Sequence, residues 1–177
     1  MTTSLVTRQR SRQTCGTQPR PAPLAAALRL LQPSGGTLSE PILTHRGVVY
    51  PWQCDHMGHM NVMWYVGKFD EATWQLIATF GLTAEAMRAS GTGMVAVEQT
   101  VNYRRELLAG DLLSIYSQLL EVREKAIRFT HEMRNDATGE VAATTVLVGV
   151  HLDARLRKAS PIPADVCERA RQMLARP

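Results

Sequence analysis

The chain has 177 residues, of which 45% are hydrophobic and 20% charged, and its formal net charge is +4. This length predicts one domain with a real core, and the absence of any run of about 18 apolar residues excludes a membrane span. Three scattered cysteines, Cys15, Cys54 and Cys167, argue against a disulfide framework and favour a reducing compartment, so we expect a cytoplasmic protein.

The positive charge is concentrated in the first forty residues, which hold five arginines and no acidic residue before Glu40. Subtracting these five from the 20 basic residues leaves 15 against 16 acidic residues in 40–177, a net charge of −1. We expect 1–40 to be an Arg-rich, disordered extension; a mitochondrial transit peptide is the alternative in a eukaryotic source, where the matrix would be the location. The folded domain is predicted over 41–177, and its near-neutral charge gives no reason to expect a nucleic-acid partner.

A strand is predicted over Thr44–Trp52, followed by a polar loop and a long helix over Asn61–Phe80. The helix prediction rests on apolar residues at three- and four-residue steps, with Lys68 and Glu71 on the opposite, exposed side. Gly81 is expected to end the helix. The residues assigned to its buried face are Val62, Tyr65, Val66, Phe69, Thr73, Leu76, Ile77 and Phe80.

A short helix is predicted over Thr83–Ala89, with Thr83 as its N-cap. The apolar period then changes from 3.6 to 2, which predicts four strands joined by short, antiparallel connections. On the first of these strands we expect Glu98 on the face opposite Val95 and Val101. A final helix is predicted over Ala164–Leu174. The four strands are expected over Met94–Tyr103, Asp111–Glu121, Ala126–Arg134 and Val141–Leu152.

The loop before the long helix concentrates the side chains suited to chemistry: Asp55, His56, His59 and Asn61 fall within seven residues. A helix start presents unpaired backbone N–H groups and a partial positive charge. A carboxylate just ahead of it therefore suits chemistry on a carbonyl that becomes an oxyanion. Asp55 is predicted to be catalytic. Asn61 is expected to cap the helix or hold Asp55, and His59 to orient the carboxylate or touch the substrate.

The order of elements and the motif Asp55-His56-Met57-Gly58-His59-Met60-Asn61 together resemble the hot-dog fold, in its 4-hydroxybenzoyl-CoA thioesterase-like branch. Gly58 to Val62 followed by Tyr65 is similar to the betainyl-CoA thioesterase-like subgroup. The segment Asn102-Tyr103-Arg104-Arg105 is similar to the join between two of the family's strands. The fold class that this resemblance implies is α+β, with one long central helix wrapped by a curved antiparallel sheet of about five strands.

The resemblance implies hydrolysis of an acyl-CoA thioester to free acid and CoA, without a metal or any cofactor beyond the CoA of the substrate. It assigns Asp55 as nucleophile or general base. The backbone donors around His59 to Val62 become the oxyanion hole. The resemblance also implies a homodimer or homotetramer with active sites at the subunit interface.

Charged residues on the strand Met94–Tyr103 and just after it complete the candidate site. Glu98 is expected to reach it as a second carboxylate, and Arg104 and Arg105 suit the phosphates of CoA, because a planar guanidinium binds phosphate through two donors. His131, on the apolar face of its strand, is expected to be buried and hydrogen-bonded. The residues expected to bind substrate are Gly58, Val62, Tyr65, Glu98, Arg104 and Arg105.

Three alternatives remain open at this point. A metal-dependent hydrolase would use Cys54, Asp55, His56 and His59, but their spacing matches no closed zinc site. A hydratase or dehydratase of acyl thioesters would typically have a proline between Asp55 and His59, and none is present. A non-catalytic acyl-CoA-binding module would carry a DNA-binding element, for which the first 40 residues show no helix-turn-helix period.

Overall fold

The structure, a computed structural model, describes residues 40–174. The predicted extension over 1–40 therefore lies outside the described residues, apart from Glu40. None of the helices in 40–174 combines the length and apolarity that a bilayer-spanning helix needs. In chain order, the elements are β1 (Ile42–Val48), α1 (Val62–Thr79), α2 (Ala84–Ser90), β2 (Thr92–Tyr103), β3 (Leu112–Val122), β4 (Ala126–Asn135), β5 (Val141–Asp153), β6 (Lys158–Ala159) and α3 (Ala164–Leu174).

The sheet is antiparallel and runs in the order β1-β3-β4-β5-β2, with the two-residue β6 paired to β5. Strands β3, β4 and β5 are neighbours because short loops join them. The turn between β4 and β5 begins with Asn135, whose Oδ1 accepts a hydrogen bond from the Ala137 N–H over 2.9 Å. β1 and β2 are the two edges of the five-strand path. The prediction of five long strands is confirmed.

Two apolar clusters hold α1 against one face of the sheet. One cluster joins the C-terminal half of α1 to Phe129 of β4 and to α3, and the other joins the N-terminal half to Ile115 of β3. Each large apolar side chain that is fully buried contributes about 1.5–3 kcal/mol, so this packing fixes the direction of α1. The side chains that α1 and its C-cap contribute are Tyr65, Phe69, Ala72, Leu76, Ile77 and Phe80.

Three residues of α1 are placed differently from the prediction. Lys68, expected to be exposed, is 7% exposed. Its Nζ donates to the Val48 carbonyl over 3.3 Å, and Gly47 leaves room for it, because a Cβ there would lie 3.3 Å from that nitrogen. Burial lowers the pKa of Lys68. Conversely Val62 and Val66, expected to be buried, are 55% and 39% exposed.

These exposed residues belong to a continuous row on α1. Val62, Val66, Asp70 and Trp74 follow one another at four-residue spacing, so they lie one above another on the same side of the helix. All four are exposed in the single chain. We call this row the α1 stripe. Its three large apolar members form a surface of the kind that a partner usually covers.

Two strand predictions also need correction. β1 ends at Val48 instead of Trp52, because a 3-10 turn over Pro51–Gln53 starts the site loop. In β2, a bulge between Ala96 and Glu98 shifts the register, so that Val95 lies opposite Val150 and Glu98 opposite Val148. Val148 and Val150 are two apart on β5 and share a face, so Glu98 lies on the same face as Val95. Val101 lies opposite Thr145, three residues from Val148, so Glu98 is on the face opposite Val101, as predicted.

The core contains a chain of four polar side chains. Thr44 Oγ1 lies 2.5 Å from Ser117 Oγ, which lies 2.5 Å from His131 Nδ1, and His131 Nε2 lies 2.9 Å from Thr73 Oγ1. Thr73 donates its hydroxyl proton to the Phe69 carbonyl, so it accepts from His131 Nε2–H, and Nδ1 accepts from Ser117. The prediction of a buried, hydrogen-bonded His131 is confirmed, and burial lowers its pKa to about 3.

Candidate active site

The loop between β1 and α1 folds back on itself. Cys54 and Met60 pair as an antiparallel bridge, and inside it the Asp55 N–H donates to the His59 carbonyl over 3.1 Å. Gly58, whose N–H donates to the Asp55 carbonyl over 3.0 Å, has φ +85°, a conformation that glycine adopts without strain. This turn returns the chain to the start of α1 and leaves Asp55 beside it.

The Asp55 carboxylate is held at both oxygens. Oδ1 accepts from the Met57 N–H over 2.9 Å, and Oδ2 accepts from Asn61 Nδ2 over 3.1 Å. The Met57 N–H is the main reason that the pKa of Asp55 lies below its ordinary value, and Asn61, His59 and His56 lower it further. The carboxylate is therefore ionised and fixed in orientation at neutral pH.

Asn61 is the N-cap of α1 as well as a ligand of Asp55. Its Oδ1 accepts from the Met63 N–H over 3.0 Å, and its backbone N–H donates to the Gln53 carbonyl over 2.9 Å. Both predicted roles of Asn61 are thus found in one side chain. The next N–H, that of Val62, has no acceptor among the described residues. It lies at the partially positive end of an 18-residue helix.

A second segment, which follows β2, runs beside the loop. The Met60 N–H donates to the Leu107 carbonyl over 2.7 Å, and His59 pairs with Leu108 as an isolated bridge. From α1, the Tyr65 hydroxyl donates to the Arg105 carbonyl over 3.2 Å. Burial is the main reason that the pKa of Tyr65 is raised to about 12. The helix start and the arginine segment are therefore tied together.

The His59 ring makes its contacts away from the Asp55 carboxylate, so it does not orient that group by a hydrogen bond, while its contact with substrate stays a prediction. Its Nε2 lies 3.6 Å from Glu106 Oε1, and its Nδ1 lies 3.5 Å from the Met60 carbonyl oxygen. The hydrogen bonds that orient Asp55 come from Met57 and Asn61 instead. His59 acts on the carboxylate through charge, by lowering its pKa.

Arg104 and Arg105 lie on the segment next to the loop, where both backbone N–H groups donate to the Ala142 carbonyl, over 2.8 and 3.0 Å. Arg105 forms an exposed ion pair with Glu140, Nε to Oε1 3.4 Å. The Nε of Arg104 is buried and has no hydrogen-bond partner within 40–174. Both arginines thus lie beside the site, with Arg105 already paired to a carboxylate.

Glu98 is not brought to this loop. It lies in a polar pocket on the sheet together with Glu121, Arg123 and Arg128, with Ala126 and Val148 completing the lining. None of these residues belongs to the segment that holds Asp55. The bulge in β2, which the sequence does not reveal, places Val95 on the same face as Glu98.

Exposed aromatic and apolar side chains lie on the segments that hold Asp55 and run beside it. Tyr50 and Trp52 stack with ring centroids 4.4 Å apart and an interplanar angle of 6°. Trp52 and Met57 are each 67% exposed, and Leu108 is 53% exposed. A carboxylate set in an exposed apolar surface fits a site that a ligand or a second chain completes.

A cavity of about 60 Å³ lies further along α1, between the helix and β2. Its charged residue is Asp70, which the sequence interpretation missed. The four-residue spacing of the α1 stripe was the available signal, since it places Asp70 between Val66 and Trp74. The lining comprises Asp70, Thr73, Trp74, Ile77, Met94, Val95, Ala96, Phe129, Leu147 and Gly149.

The residues considered for a metal site do not assemble into one. Within 40–174, no three His, Cys, Asp or Glu side chains come close enough together to hold a metal ion. Cys54, Asp55, His56 and His59 form no such group, although they lie within six residues of one another in the sequence.

A family profile described as the thioesterase-like superfamily matches residues 49–170, which include the site loop and every element from α1 to β6. This chain belongs to the thioesterase-like superfamily. The predicted relationship to hot-dog acyl-CoA thioesterases is thereby confirmed.

Relatives of this thioesterase-like chain include proteins of two sizes. The L-carnitine dehydrogenase/betainyl-CoA thioesterase of Agrobacterium fabrum is 29% identical over 123 residues, which are 70% of this chain and 25% of that protein. The chain thus spans about a quarter of that relative's length. The long-chain acyl-CoA thioesterase FadM of Escherichia coli is 27% identical over 123 residues, 70% of this chain and 92% of FadM.

A solved structure of a hypothetical protein from Staphylococcus aureus in complex with CoA matches the thioesterase-like chain with a TM-score of 0.73 and 16% identity. The match covers 81% of this chain and 90% of the other. At this identity the likeness shows the fold, and it confirms the predicted hot-dog architecture of a long helix within a curled antiparallel sheet.

Proposed function

We propose that this chain hydrolyses an acyl-CoA thioester to a free acid and CoA, with Asp55 as the reacting carboxylate. The observation that carries the proposal is the position of Asp55, ionised and held by the Met57 N–H and by Asn61 at the N-terminus of α1. Membership of the thioesterase-like superfamily supports the same reaction class.

Two mechanisms use this geometry. As a nucleophile, Asp55 attacks the thioester carbon, CoA leaves as the thiolate, and water hydrolyses the mixed anhydride. As a general base, Asp55 takes a proton from a water molecule, whose oxygen attacks the same carbon while the thiolate leaves. In both, negative charge develops on the carbonyl oxygen, and we assign its stabilisation to the Val62 N–H and the positive end of α1.

We further propose a homodimer, or a tetramer built from it, with active sites at the subunit interface. The α1 stripe supports this, because Val62, Val66 and Trp74 are exposed apolar side chains on one line. β2 supports it as well, since this 12-residue edge strand is exposed along most of its length. An edge strand of this kind pairs readily with another strand.

The reaction proposed needs no cofactor other than the CoA of the substrate, whose phosphates we assign to Arg104 and Arg105. We place it in the cytoplasm, where reducing conditions keep Cys54 and Cys167 as free thiols. The named relatives differ in acyl group, one acting on betainyl-CoA and the other on long-chain acyl-CoA, so both classes are candidates.

The test is the release of free thiol from a panel of acyl-CoAs that includes betainyl-CoA and chains from four to sixteen carbons. We expect turnover of at least one of them, and Asp55→Asn should lower kcat by about 10²-fold or more. Asp136→Asn is the matched control, because this exposed aspartate lies in the turn between β4 and β5. Full activity of Asp55→Asn, or binding without turnover across the panel, would overturn the proposal.

A further inference from the structure

A single carboxylate interrupts the apolar α1 stripe. Asp70 accepts a hydrogen bond from Trp74 Nε1 over 3.2 Å, and this fixes the indole beside it. The ion pairs within 40–174 join arginine or histidine side chains to other carboxylates, and none of them includes Asp70. A negative charge without a cation therefore stands next to an aromatic ring, on the helix face that borders β2.

The cavity beside this pair contains no positive charge. Its remaining lining is apolar except for Thr73, whose hydroxyl is already bonded to the Phe69 carbonyl and to His131. His131 lies behind that wall, and because burial lowers its pKa to about 3 it is neutral. Asp70 thus sets the sign of the electrostatic potential in the cavity.

The size of the cavity restricts what can enter it. A water molecule needs about 10–15 Å³ of probe-occupied volume, so about 60 Å³ admits a compact group of roughly four heavy atoms. Gly149 keeps this space open, because a Cβ there would lie 2.9 Å from Met94 Cε. A small branched group matches this volume.

Building on the thioesterase function proposed above, we infer that this cavity receives an acyl group that ends in a quaternary ammonium. A trimethylammonium group has four heavy atoms, it has no N–H that needs an acceptor, and it binds the faces of aromatic rings. Asp70 supplies the counter-charge and Trp74 the ring. A neutral group of the same shape would desolvate the carboxylate without compensation, and an anionic group would be repelled.

The length of α1 indicates whether a group bound in this cavity reacts with Asp55 of the same chain or with the partner subunit's Asp55. Asp70 lies nine residues after Asn61, which is about 13 Å along the helix axis. In a betainyl group only two bonds separate the ammonium nitrogen from the thioester carbon, so one end cannot reach the cavity while the other lies beside Asp55 of the same chain. When the ammonium group lies in this cavity, the thioester carbon lies just outside it. In the proposed homodimer that carbon therefore meets the partner subunit's Asp55.

The test compares betainyl-CoA with 3,3-dimethylbutyryl-CoA, in which a carbon replaces the nitrogen and removes the charge without changing the shape. We expect the wild-type chain to show a kcat/KM at least about tenfold higher for betainyl-CoA. Asp70→Asn should lower this ratio at least about tenfold. Asp136→Asn, which removes the same charge elsewhere, should leave the ratio unchanged.

A wild-type chain that hydrolyses the neutral substrate as well as the cationic one would overturn the inference, and this result needs no variant to fold. An unchanged ratio in Asp70→Asn would also overturn it. The thioesterase proposal fails separately, if no acyl-CoA releases thiol or if Asp55→Asn retains full activity on whichever substrate is used.

Discussion

Asn61 joins Asp55 to the first turn of α1, donating from Nδ2 to the Asp55 carboxylate over 3.1 Å while its Oδ1 accepts from the Met63 N–H over 3.0 Å. Helix capping and carboxylate orientation thus depend on the two ends of one amide. Serine caps helices about as well as asparagine, but its single short hydroxyl replaces the separate oxygen and nitrogen with which the amide reaches Met63 and Asp55, so substitution separates the two roles.

We predict that Asn61→Ser keeps the free energy of unfolding within a few tenths of a kcal/mol of wild type. The loss of the Nδ2 donor should raise the pKa of Asp55, which this hydrogen bond helps to hold below its ordinary value. Asp55 must be ionised to react, so the acid limb of the kcat/KM profile should move to higher pH.

Asn61→Ala is the matched variant, since it removes both ends of the amide and should also cost about 1 kcal/mol of stability. Urea denaturation and pH–rate profiles of the two variants measure these effects separately. An acid limb that stays at the wild-type pH in Asn61→Ser would show that the hydrogen bond does not tune Asp55.

The buried His131 predicts acid instability. Its pKa is 6.5 when exposed and about 3 in the folded chain, so the unfolded chain binds the proton first. Its contribution to stability is complete above pH 6.5 and is lost as the pH falls towards 3. The free energy of unfolding should drop by about 1.4 kcal/mol for each pH unit in that window.

His131→Gln removes the titrating group and retains an amide that can bond Ser117 and Thr73. We expect this variant to lose the His131 share of the slope between pH 6.5 and 3, about 1.4 kcal/mol per pH unit, while the exposed His56→Gln control retains the wild-type slope. Urea midpoints at pH 7.5, 5.5 and 4.5 provide the comparison. Equal slopes in all three proteins would mean that His131 is protonated in the folded state.

Gly149→Ala should narrow the α1–β2 cavity. The added methyl would lie 2.9 Å from Met94 Cε, the flexible end of a side chain, so the fold should adapt at a cost below about 1.5 kcal/mol. Met94 would then be displaced into the cavity, and kcat/KM for a branched acyl group should fall about tenfold or more.

Gly93→Ala is the control, because a Cβ there meets Leu152 Cδ1 at 4.0 Å, an ordinary contact. It should leave both stability and kcat/KM close to wild type. If the two alanine variants lose activity equally, the cavity does not receive the acyl group.

Val97→Lys should weaken the proposed dimer. Val97 lies at the bulge of the edge strand β2 and is 60% exposed, and burying an unpaired ammonium there would cost several kcal/mol. We expect light scattering to report dissociation and thiol release to fall with it. Leu156→Lys, in the turn after β5 and 57% exposed, should change neither. A fully active monomer would refute interface sites.

Mixed dimers test the assignment of Asp55 and Asp70 to different subunits. If each site takes one residue from each chain, a dimer of Asp55→Asn with Asp70→Asn contains one intact site and one doubly altered site. Random exchange of equal amounts makes half of the dimers mixed, so about a quarter of the wild-type activity on betainyl-CoA should come from restored sites when the two impaired variants are mixed. No recovery would place both residues in the same subunit's site.

Local sequence rules predicted the features that depend on neighbouring residues. The bounds of α3, the Thr83 cap of α2 and the Asn61 cap of α1 follow from capping preferences and the helical period. The alternation of β4 predicted a buried His131 for the same reason. These signals are local because a helix or a strand face repeats within a few residues.

Features that depend on distant parts of the chain were not predicted. Lys68 is buried because Gly47, on β1, leaves space for its amine. The bulge that places Val95 on the same face as Glu98 exists only as a register between β2 and β5. The cavity requires Asp70 and Gly149 to meet across the fold. Spacing along the sequence contains no record of such pairings.

The Tyr65 hydroxyl, which bonds the Arg105 carbonyl, has a mechanical consequence. This hydrogen bond connects the arginine segment, assigned to the phosphates of the substrate, to the first turn of α1, assigned to the carbonyl oxygen of the substrate. A nucleotide fragment that occupies the arginines would therefore stiffen the helix tip before any acyl group arrives. Tyr65→Phe would keep the ring packing but remove this hydrogen bond. The arginines and the start of α1 would then bind the phosphate end and the acyl end of the substrate independently.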